Sequence, residues 1–176
     1  PELGISSLDN VEALSGELTE IPLSIINSGN VALDLSWSFF NELDSWSTAL
    51  QSITPTSIQP NQELDVMLGI NIPDNWPVDS DGNIVTVYIE GTNPELATSS
   101  ILETKEITVK VIETCSFEVN TTSRISVDSG DSIEASILAT NTGNSPSRFS
   151  IEFSQDSNSL DIQNTYNYDA ALPPGE

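Results

Sequence analysis

The sequence predicts an all-β protein built from two copies of one β-sandwich, of which the second is incomplete. Three observations lead to this prediction. Apolar residues recur at every second position in several segments, which is the period of a half-buried strand. Clusters rich in Gly, Pro, Asn, Asp and Ser separate these segments, as turns do. One turn and a set of apolar positions also recur 114 residues further along the 176-residue chain, which indicates an internal repeat.

The alternating segments predict the strands in chain order. The first two have apolar residues at Val31, Leu33, Leu35, Trp37 and Phe39, and at Leu64, Val66, Leu68, Ile70 and Ile72. Two more have them at Val85, Val87 and Ile89, and at Ile107, Val109 and Val111. Because successive side chains of a strand point to opposite faces, each set lines one face of a sheet. Turn-forming clusters lie at residues 27–30, 54–60, 73–83 and 91–94.

One segment, residues 42–51, fits two structures. Leu43, Trp46 and Leu50 have the spacing of one face of a helix, which favours a short helical turn. Its position between predicted strands of a β-sandwich favours another strand. The sequence leaves both structures open.

The internal repeat aligns residues that lie 114 positions apart. Asn27, Gly29 and Asn30 correspond to Asn141, Gly143 and Asn144, and Ser15-Gly16 corresponds to Ser129-Gly130. Apolar positions beyond the turn also agree, with Leu35, Trp37 and Phe39 matching Phe149, Ile151 and Phe153, and Ile58, Pro60 and Gln62 matching Leu172, Pro174 and Glu176. Two copies of one fold retain such a pattern, and the alternative is chance agreement between two unrelated β domains.

The repeat predicts a complete domain over residues 1–112 and a partial second domain over residues 113–176. In the first copy Gln62 precedes the strand from Leu64 to Ile72, so the second copy reaches Glu176 ahead of its equivalent strand. A sandwich that lacks this strand and the strands after it exposes an apolar face and an unpaired edge. We therefore expect the natural polypeptide to continue beyond Glu176, or a neighbouring subunit to supply the strand.

These turns and strands resemble the Ig-like repeats of secreted archaeal and bacterial surface proteins, including the CARDB-like and alpha-galactosidase-associated Ig-like families. The resemblance rests on an alternating strand, Asn-x-Gly-Asn, a second alternating strand and a Pro-rich turn such as Leu172-Pro173-Pro174-Gly175-Glu176. It implies tandem Ig-like Greek-key β-sandwiches of about 100 residues per domain. It also implies a spacer or adhesive role in a large extracellular or cell-surface protein. The first copy departs from the pattern at Ile58-Gln59-Pro60-Asn61-Gln62.

Composition excludes most catalytic chemistry. The chain has no His and one Cys, so it lacks an imidazole base, a Ser–His–Asp triad and an intrachain disulfide. With 27 acidic and 4 basic residues its formal charge is −23, which would repel nucleic acid. The same acidity suits a saline exterior or simply maintains solubility. No run of about 18 apolar residues is present, so we expect no membrane insertion, and we expect no enzyme activity.

The candidate metal site is a calcium site formed by Asp79, Asp81, Asn83 and Glu90. These residues offer oxygen ligands at alternate positions, with Glu90 at the twelfth place, which suits a hard cation. The sixth position holds Ile84 where an EF-hand loop requires Gly. The alternative is an Asp-Gly turn leading into a strand. No other cofactor is expected.

Aromatic residues suggest a glycan-contact site at Trp76 and Tyr88. Trp37 falls on the inward register of its strand and is expected in the core. Trp76 lies in a Pro-flanked loop and Tyr88 falls on the outward register, so both are surface candidates for stacking on sugar rings. The alternative is that both residues are ordinary loop and strand anchors.

Two further residues carry a specific expectation. Asn120-Thr121-Thr122 is a glycosylation sequon, which predicts a surface acceptor at Asn120 in a secreted protein. Cys115 lies between the two copies and is expected to be a small buried residue, with an intermolecular disulfide as the alternative.

The sequence therefore predicts a non-catalytic structural or adhesive module of a large secreted or cell-surface prokaryotic protein. Its expected partners are other domains of the same polypeptide, neighbouring surface proteins and glycans. The alternatives are a carbohydrate-binding accessory module of a secreted glycoside hydrolase and a calcium-stiffened adhesin.

Overall fold

The computed structural model describes residues 1–96, 98–121, 126–150 and 171–175. The chain divides into two compact units, Pro1–Ile112 and Glu113–Glu176, which we call unit 1 and unit 2. In the described ranges the regular structure consists of β-strands joined by turns. Within those ranges, none of the chain forms a helix with the length and hydropathy needed to cross a membrane.

The described residues of unit 1 form nine strands in two sheets. They are β1 (Leu3–Ser7), β2 (Asn10–Ala13), β3 (Leu18–Asn27), β4 (Leu33–Asn41), β5 (Ser47–Leu50), β6 (Ser57–Ile58), β7 (Glu63–Asn71), β8 (Asp79–Thr92) and β9 (Ser100–Val111). One sheet has the order β1-β3-β7-β5 and the other β2-β9-β8-β4-β6. All neighbours are antiparallel except β2 and β9, which are parallel. The four-stranded sheet has the ABED order of an Ig-like Greek-key sandwich, and β4-β8-β9 have its CFG order, with β2 and β6 added at the edges of that second sheet. This confirms the predicted fold class.

The core of unit 1 lies where the inward rows of the two sheets meet. Each predicted row contributes to it. The most deeply buried side chains include Ile21, Leu23, Ile25, Leu33, Leu68, Ile70, Val85, Val87, Ile89, Ile107 and Val109, all 0 or 1% exposed. Trp37 is half-buried and packs against this cluster, as its register predicts. Burying one such aliphatic side chain stabilises a fold by about 1.5–3 kcal/mol, so these rows hold the two sheets together.

The ambiguous segment at residues 42–51 forms a turn followed by a strand. The Trp46 backbone N–H donates a hydrogen bond of 3.0 Å to the Leu43 carbonyl, which closes the turn, and β5 begins at the next residue, Ser47. Trp46 is 4% exposed and belongs to the core. Its apolar spacing therefore reflects one buried turn residue and does not reflect a helical face.

A buried Asn organises the turn after β3. Asn27 is 0% exposed, and its Nδ2 donates to the carbonyls of Val31 at 2.8 Å and Ile58 at 3.3 Å. Its Oδ1 accepts a hydrogen bond of 3.1 Å from the Gly29 N–H. Its own carbonyl accepts from the Asn61 N–H at 2.7 Å. One side chain thus joins the turn at Gly29, Val31 just ahead of β4, and Ile58 of β6.

The same contacts recur 114 residues later in unit 2. Asn141 Nδ2 donates to the carbonyls of Ser145 and Leu172, both at 2.8 Å, and its Oδ1 accepts from the Gly143 N–H at 3.0 Å. Its carbonyl accepts from the Gly175 N–H at 2.9 Å, as that of Asn27 does from Asn61. Unrelated sheets would not reproduce this set of partners at one fixed offset, so the two turns are structurally equivalent.

Unit 2 contains two described strands, β10 (Phe117–Thr121) and β11 (Ile137–Asn141), which pair antiparallel. Phe117 lies opposite Asn141, as Leu3 lies opposite Asn27 in unit 1. These strands therefore correspond to β1 and to the second half of β3. The predicted counterparts Ile151, Phe153 and Glu176 lie outside the described residues.

Candidate functional site

The outer face of the five-stranded sheet carries a group of uncharged residues that point away from the core. In β8, Val87 and Ile89 are buried inward, so Tyr88 between them faces outward. Tyr88 lies between Ser38 of β4 on one side and Thr104 of β9 on the other. We call this surface the Tyr88 face; its members are Ser36, Ser38, Phe40, Thr86, Tyr88, Leu102 and Thr104.

Two apolar side chains of the Tyr88 face are largely exposed. Phe40 is 55% and Leu102 is 61% exposed, whereas Thr86, beside Phe40 in the register, is buried. Glu106 lies beside Thr86, and Glu90 lies between Ser36 and Leu102, so one carboxylate borders the Tyr88 face and another lies within it. Aromatic and aliphatic surface flanked by hydroxyl groups can stack on a sugar ring or pack against a protein surface. The arrangement offers contact chemistry.

Of the two predicted glycan-contact residues, only Tyr88 belongs to this face. Trp76 lies in the loop between β7 and β8, where it is half-buried and packs against the core. Its ring meets that of Trp46 edge to face, with centroids 5.8 Å apart and an interplanar angle of 76°. The structure therefore does not bring Trp76 and Tyr88 together as one platform. Trp76 covers the buried Trp46, and substituting it would disturb the core.

Sequence reasoning missed Phe40 and Leu102. The signal for Phe40 was its register: it follows inward-facing Phe39 in an alternating strand, so it must face outward. Leu102 lies in a segment with few apolar residues, and only its pairing with Glu90 of β8 places it on the Tyr88 face. The pairing of β8 with β9 therefore assigns Leu102 to this face, and the residue pattern of β9 alone does not.

The predicted calcium ligands are not assembled into one site. Asp79 Oδ1 accepts hydrogen bonds from the N–H groups of Asp81 at 3.0 Å and Gly82 at 3.1 Å, and its Oδ2 accepts from Asn83 Nδ2 at 2.9 Å. Glu90 lies seven residues beyond Asn83 along the same strand, at about 23 Å for an extended chain. It cannot share a cation with Asp79. Among the described residues, no group of three or more His, Cys, Asp or Glu side chains is placed to bind a metal.

The Asp-Gly alternative describes this segment better. The register of β8 against β9 shifts between Asp79 and Asn83, which is a bulge. Gly82 has a φ of +82°, and a Cβ built on it would lie 2.7 Å from Thr108 Cγ2. The Asp79 carboxylate thus holds a glycine-dependent turn at the start of β8. The predicted loop at residues 73–83 ends earlier, because β8 begins at Asp79.

Asn120 and Cys115 both lie on the surface of unit 2. Asn120 is exposed in β10, where its Nδ2 is 3.4 Å from Glu118 Oε1, while Thr122 of its sequon lies outside the described residues. Cys115 is an exposed free thiol, so the prediction that it is buried is wrong. The segment around it is anchored by backbone hydrogen bonds: Asn144 N–H donates to the Thr114 carbonyl at 3.1 Å, and Gly143 N–H donates to the Ser116 carbonyl at 3.1 Å. These contacts leave the thiol of Cys115 outside the packed turn.

Comparisons with known proteins give distant structural similarities only. No protein-family model matches the sequence, and no curated protein matches it. The secreted serine protease VesC from Vibrio cholerae is 13% identical with a TM-score of 0.42, over 64% of this chain and 24% of VesC. The alpha-2-macroglobulin of E. coli is 13% identical with a TM-score of 0.41, over 69% of this chain and 7% of that protein.

A third similar structure is the SrpA adhesin from Streptococcus sanguinis, crystallised as its R347E mutant. It is 18% identical with a TM-score of 0.38, over 62% of this chain and 57% of the adhesin. The chain thus spans a quarter or less of the protease and the macroglobulin, and less than two thirds of the adhesin. Similarity at this level does not indicate a shared function.

Proposed function

We propose that the chain is a non-catalytic structural or adhesive module of a large secreted or cell-surface prokaryotic protein. The observation that supports the proposal is the pair of equivalent turns built on Asn27 and Asn141, which two copies of one Ig-like unit would share. Many cell-surface proteins use this sandwich architecture, and its loops and sheet faces are free to vary without loss of the core. A repeated scaffold of this kind suits a spacer that presents a binding surface.

The proposal also includes a relationship to the CARDB-like or alpha-galactosidase-associated Ig-like repeats. It further includes an extracellular location. The high density of carboxylates supports an exterior setting, because salt screens their mutual repulsion there. Partners of the module are then neighbouring domains of the same polypeptide, other surface proteins or glycans. Catalysis has no role in the proposal.

Cys115 provides a direct test of location. Its thiol is exposed, so a maleimide that does not cross membranes should label it in intact, mildly reduced cells of the source organism. A Cys115→Ser variant of the full-length protein controls for labelling of other proteins. Labelling that occurs only after the cells are lysed would contradict the surface location and the proposed function with it.

The second candidate is a carbohydrate-binding accessory module, which the Tyr88 face favours by placing an aromatic ring between two hydroxyl-bearing side chains. A glycan array separates the two functions. Binding that is lost in Tyr88→Ala and in Phe40→Ser would establish the carbohydrate-binding function. Trp76→Ala is a poor probe, because it would expose Trp46 and destabilise unit 1. Absence of binding to every glycan leaves the structural role as the proposed one.

A further inference from the structure

The first two strands of unit 1 belong to different sheets. β1 pairs with β3 in the four-stranded sheet, and β2 pairs with β9 in the five-stranded sheet. The corner between β1 and β2 is joined to β9 by two contacts of Asp9. Its carbonyl accepts a hydrogen bond of 2.9 Å from the Thr108 N–H, and its carboxylate forms an ion pair with Lys105. The N-terminal segment therefore holds on to both sheets of the sandwich.

Strands β2 and β9 are the first and the last strands of the five-stranded sheet in chain order, and they run parallel. All of β2, Asn10–Ala13, pairs with Thr108–Val111. The backbone hydrogen bonds between them begin at the Asp9 carbonyl. They end at the Ala13 carbonyl, which accepts a hydrogen bond of 3.0 Å from the Ile112 N–H. The ladder thus spans β2 from the residue before it to its last residue.

The side chains of β2 reinforce this ladder. Val11 packs against the core and Ala13 is buried, whereas Asn10 and Glu12 are exposed. The N–H and C=O groups of alternate residues in a strand point to the same side, so Val11 and Ala13 also direct their N–H groups to β9, and Glu12 directs its N–H away from it. Glu12 lies opposite Lys110 in the register, so opposite charges face each other across the pair.

The parallel direction of this pair determines how tension acts on it. The chain enters β2 at Asn10 and leaves β9 at Val111, and these residues lie at opposite ends of the ladder. Pulling the two chain segments apart therefore slides β2 along β9 and loads all hydrogen bonds of the ladder together. In the antiparallel pair of β8 and β9, Asp79 lies opposite Val111, so pulling at that end separates the hydrogen bonds one after another.

We propose that unit 1 is a tension-bearing link, and that the β2–β9 pair is the element that resists its unfolding under load. The inference rests on the proposed structural role, because a module that joins neighbouring domains of a surface protein transmits force along its chain. The ion pair of Asp9 and Lys105 is exposed at its carboxylate and stabilises only weakly, so the backbone ladder carries the load. Release of β2 also withdraws Val11 and Ala13 from the core, which opens the sandwich.

Single-molecule pulling on the full chain compares two directions of load. One DNA handle is attached to Cys115, whose exposed thiol lies just beyond β9. The second handle is attached at Leu8→Cys, ahead of β2, or at Ser80→Cys, beside the end of β9 that Cys115 follows; both residues are exposed. Neither substitution lies in β2 or in the core. We expect the unfolding force to be at least about twofold higher for the handle at residue 8, because that direction loads the whole ladder at once.

Matched proline substitutions test the ladder itself under the same load from residue 8. Val11→Pro removes an N–H group that faces β9, whereas Glu12→Pro removes one that faces away from it. We expect Val11→Pro to lower the unfolding force by at least about half and Glu12→Pro to lower it much less. Val11→Ala keeps the N–H group and measures the loss of packing alone. Urea unfolding followed by tryptophan fluorescence shows whether unit 1 of each variant is folded before it is pulled.

Two results would overturn the proposal. The first is an unfolding force that is the same for both directions of load, and this comparison decides the matter alone if Val11→Pro does not fold. The second is a Val11→Pro variant that folds and loses no more force than Glu12→Pro and Val11→Ala do. Failure of Cys115 labelling on intact cells would contradict the surface role and would leave the direction dependence of the force unchanged, so the two failures are distinguishable.

Discussion

The sharpest prediction concerns Asn27, whose side chain joins three backbone segments of unit 1. Substitution to Ala removes two hydrogen bonds donated by Nδ2, to Val31 and Ile58, and one accepted by Oδ1 from Gly29. Each hydrogen bond of this kind stabilises a fold by about 1 kcal/mol net, so the free energy of unfolding should fall by about 3 kcal/mol. For a domain of this size that corresponds to a decrease in Tm of about 12 °C.

The assay can isolate unit 1, because Trp37, Trp46 and Trp76 all lie in it. Urea and thermal unfolding followed by tryptophan fluorescence therefore report on this unit alone. Asn27→Asp is an informative companion variant: it keeps the size and the acceptor but replaces the two donors with a second oxygen facing two carbonyls. It should destabilise unit 1 at least as much as Ala does.

Asn30 provides the matched control in the same turn. It is exposed, so Asn30→Ala should change the free energy of unfolding by no more than about 0.5 kcal/mol. The reasoning is refuted if Asn27→Ala lowers Tm by less than about 2 °C, or if Asn27→Asp is as stable as the wild type. Either result would show that the turn holds its shape without the side-chain hydrogen bonds.

Three further predictions follow from other features of unit 1. Trp46→Phe should cost less than about 1.5 kcal/mol, because the buried Nε1 of Trp46 has no hydrogen-bond partner among the residues that the structure describes, whereas Trp46→Ala should cost about 3–5 kcal/mol. Urea unfolding distinguishes the two variants, and equal losses would contradict the assignment. EDTA or added calcium should leave Tm unchanged, since Asp79 and Glu90 lie far apart. An increase in Tm of several degrees with calcium would contradict this and support the predicted metal site. Raising NaCl from about 0.01 to 0.5 M should raise Tm by screening the −23 charge, and an unchanged Tm would show that the carboxylates do not repel significantly in the native state.

The sequence predicted those parts of the fold that depend on local pattern. The alternating rows of β4, β7, β8 and β9 appear as buried rows, because a strand that is covered on one face must alternate. The turn at Asn27 was visible because a buried amide and a close-packed Gly29 are required together there. The segment around Trp46 could not be resolved from pattern alone, since one buried turn residue gives the same spacing as a helical face.

Candidate sites were harder to predict, because they depend on which strands become neighbours. Asp79 and Glu90 are close in sequence and suit a loop, yet a single extended strand separates them. Trp76 lies in a Pro-flanked loop, which suggests a surface contact, yet its ring packs edge to face on the ring of Trp46 and against the core. Tyr88 and Leu102 lie fourteen residues apart in sequence and share a face only because β8 and β9 pair.

The same distinction explains why this chain reveals its architecture more readily than its role. Inward positions and turns are constrained by packing, as the matching hydrogen bonds of Asn27 and Asn141 illustrate. Outward positions are free of that constraint. A binding role must therefore be sought by substituting outward residues such as Tyr88 and Phe40, which can change without loss of the core, and a loss of binding there separates function from stability.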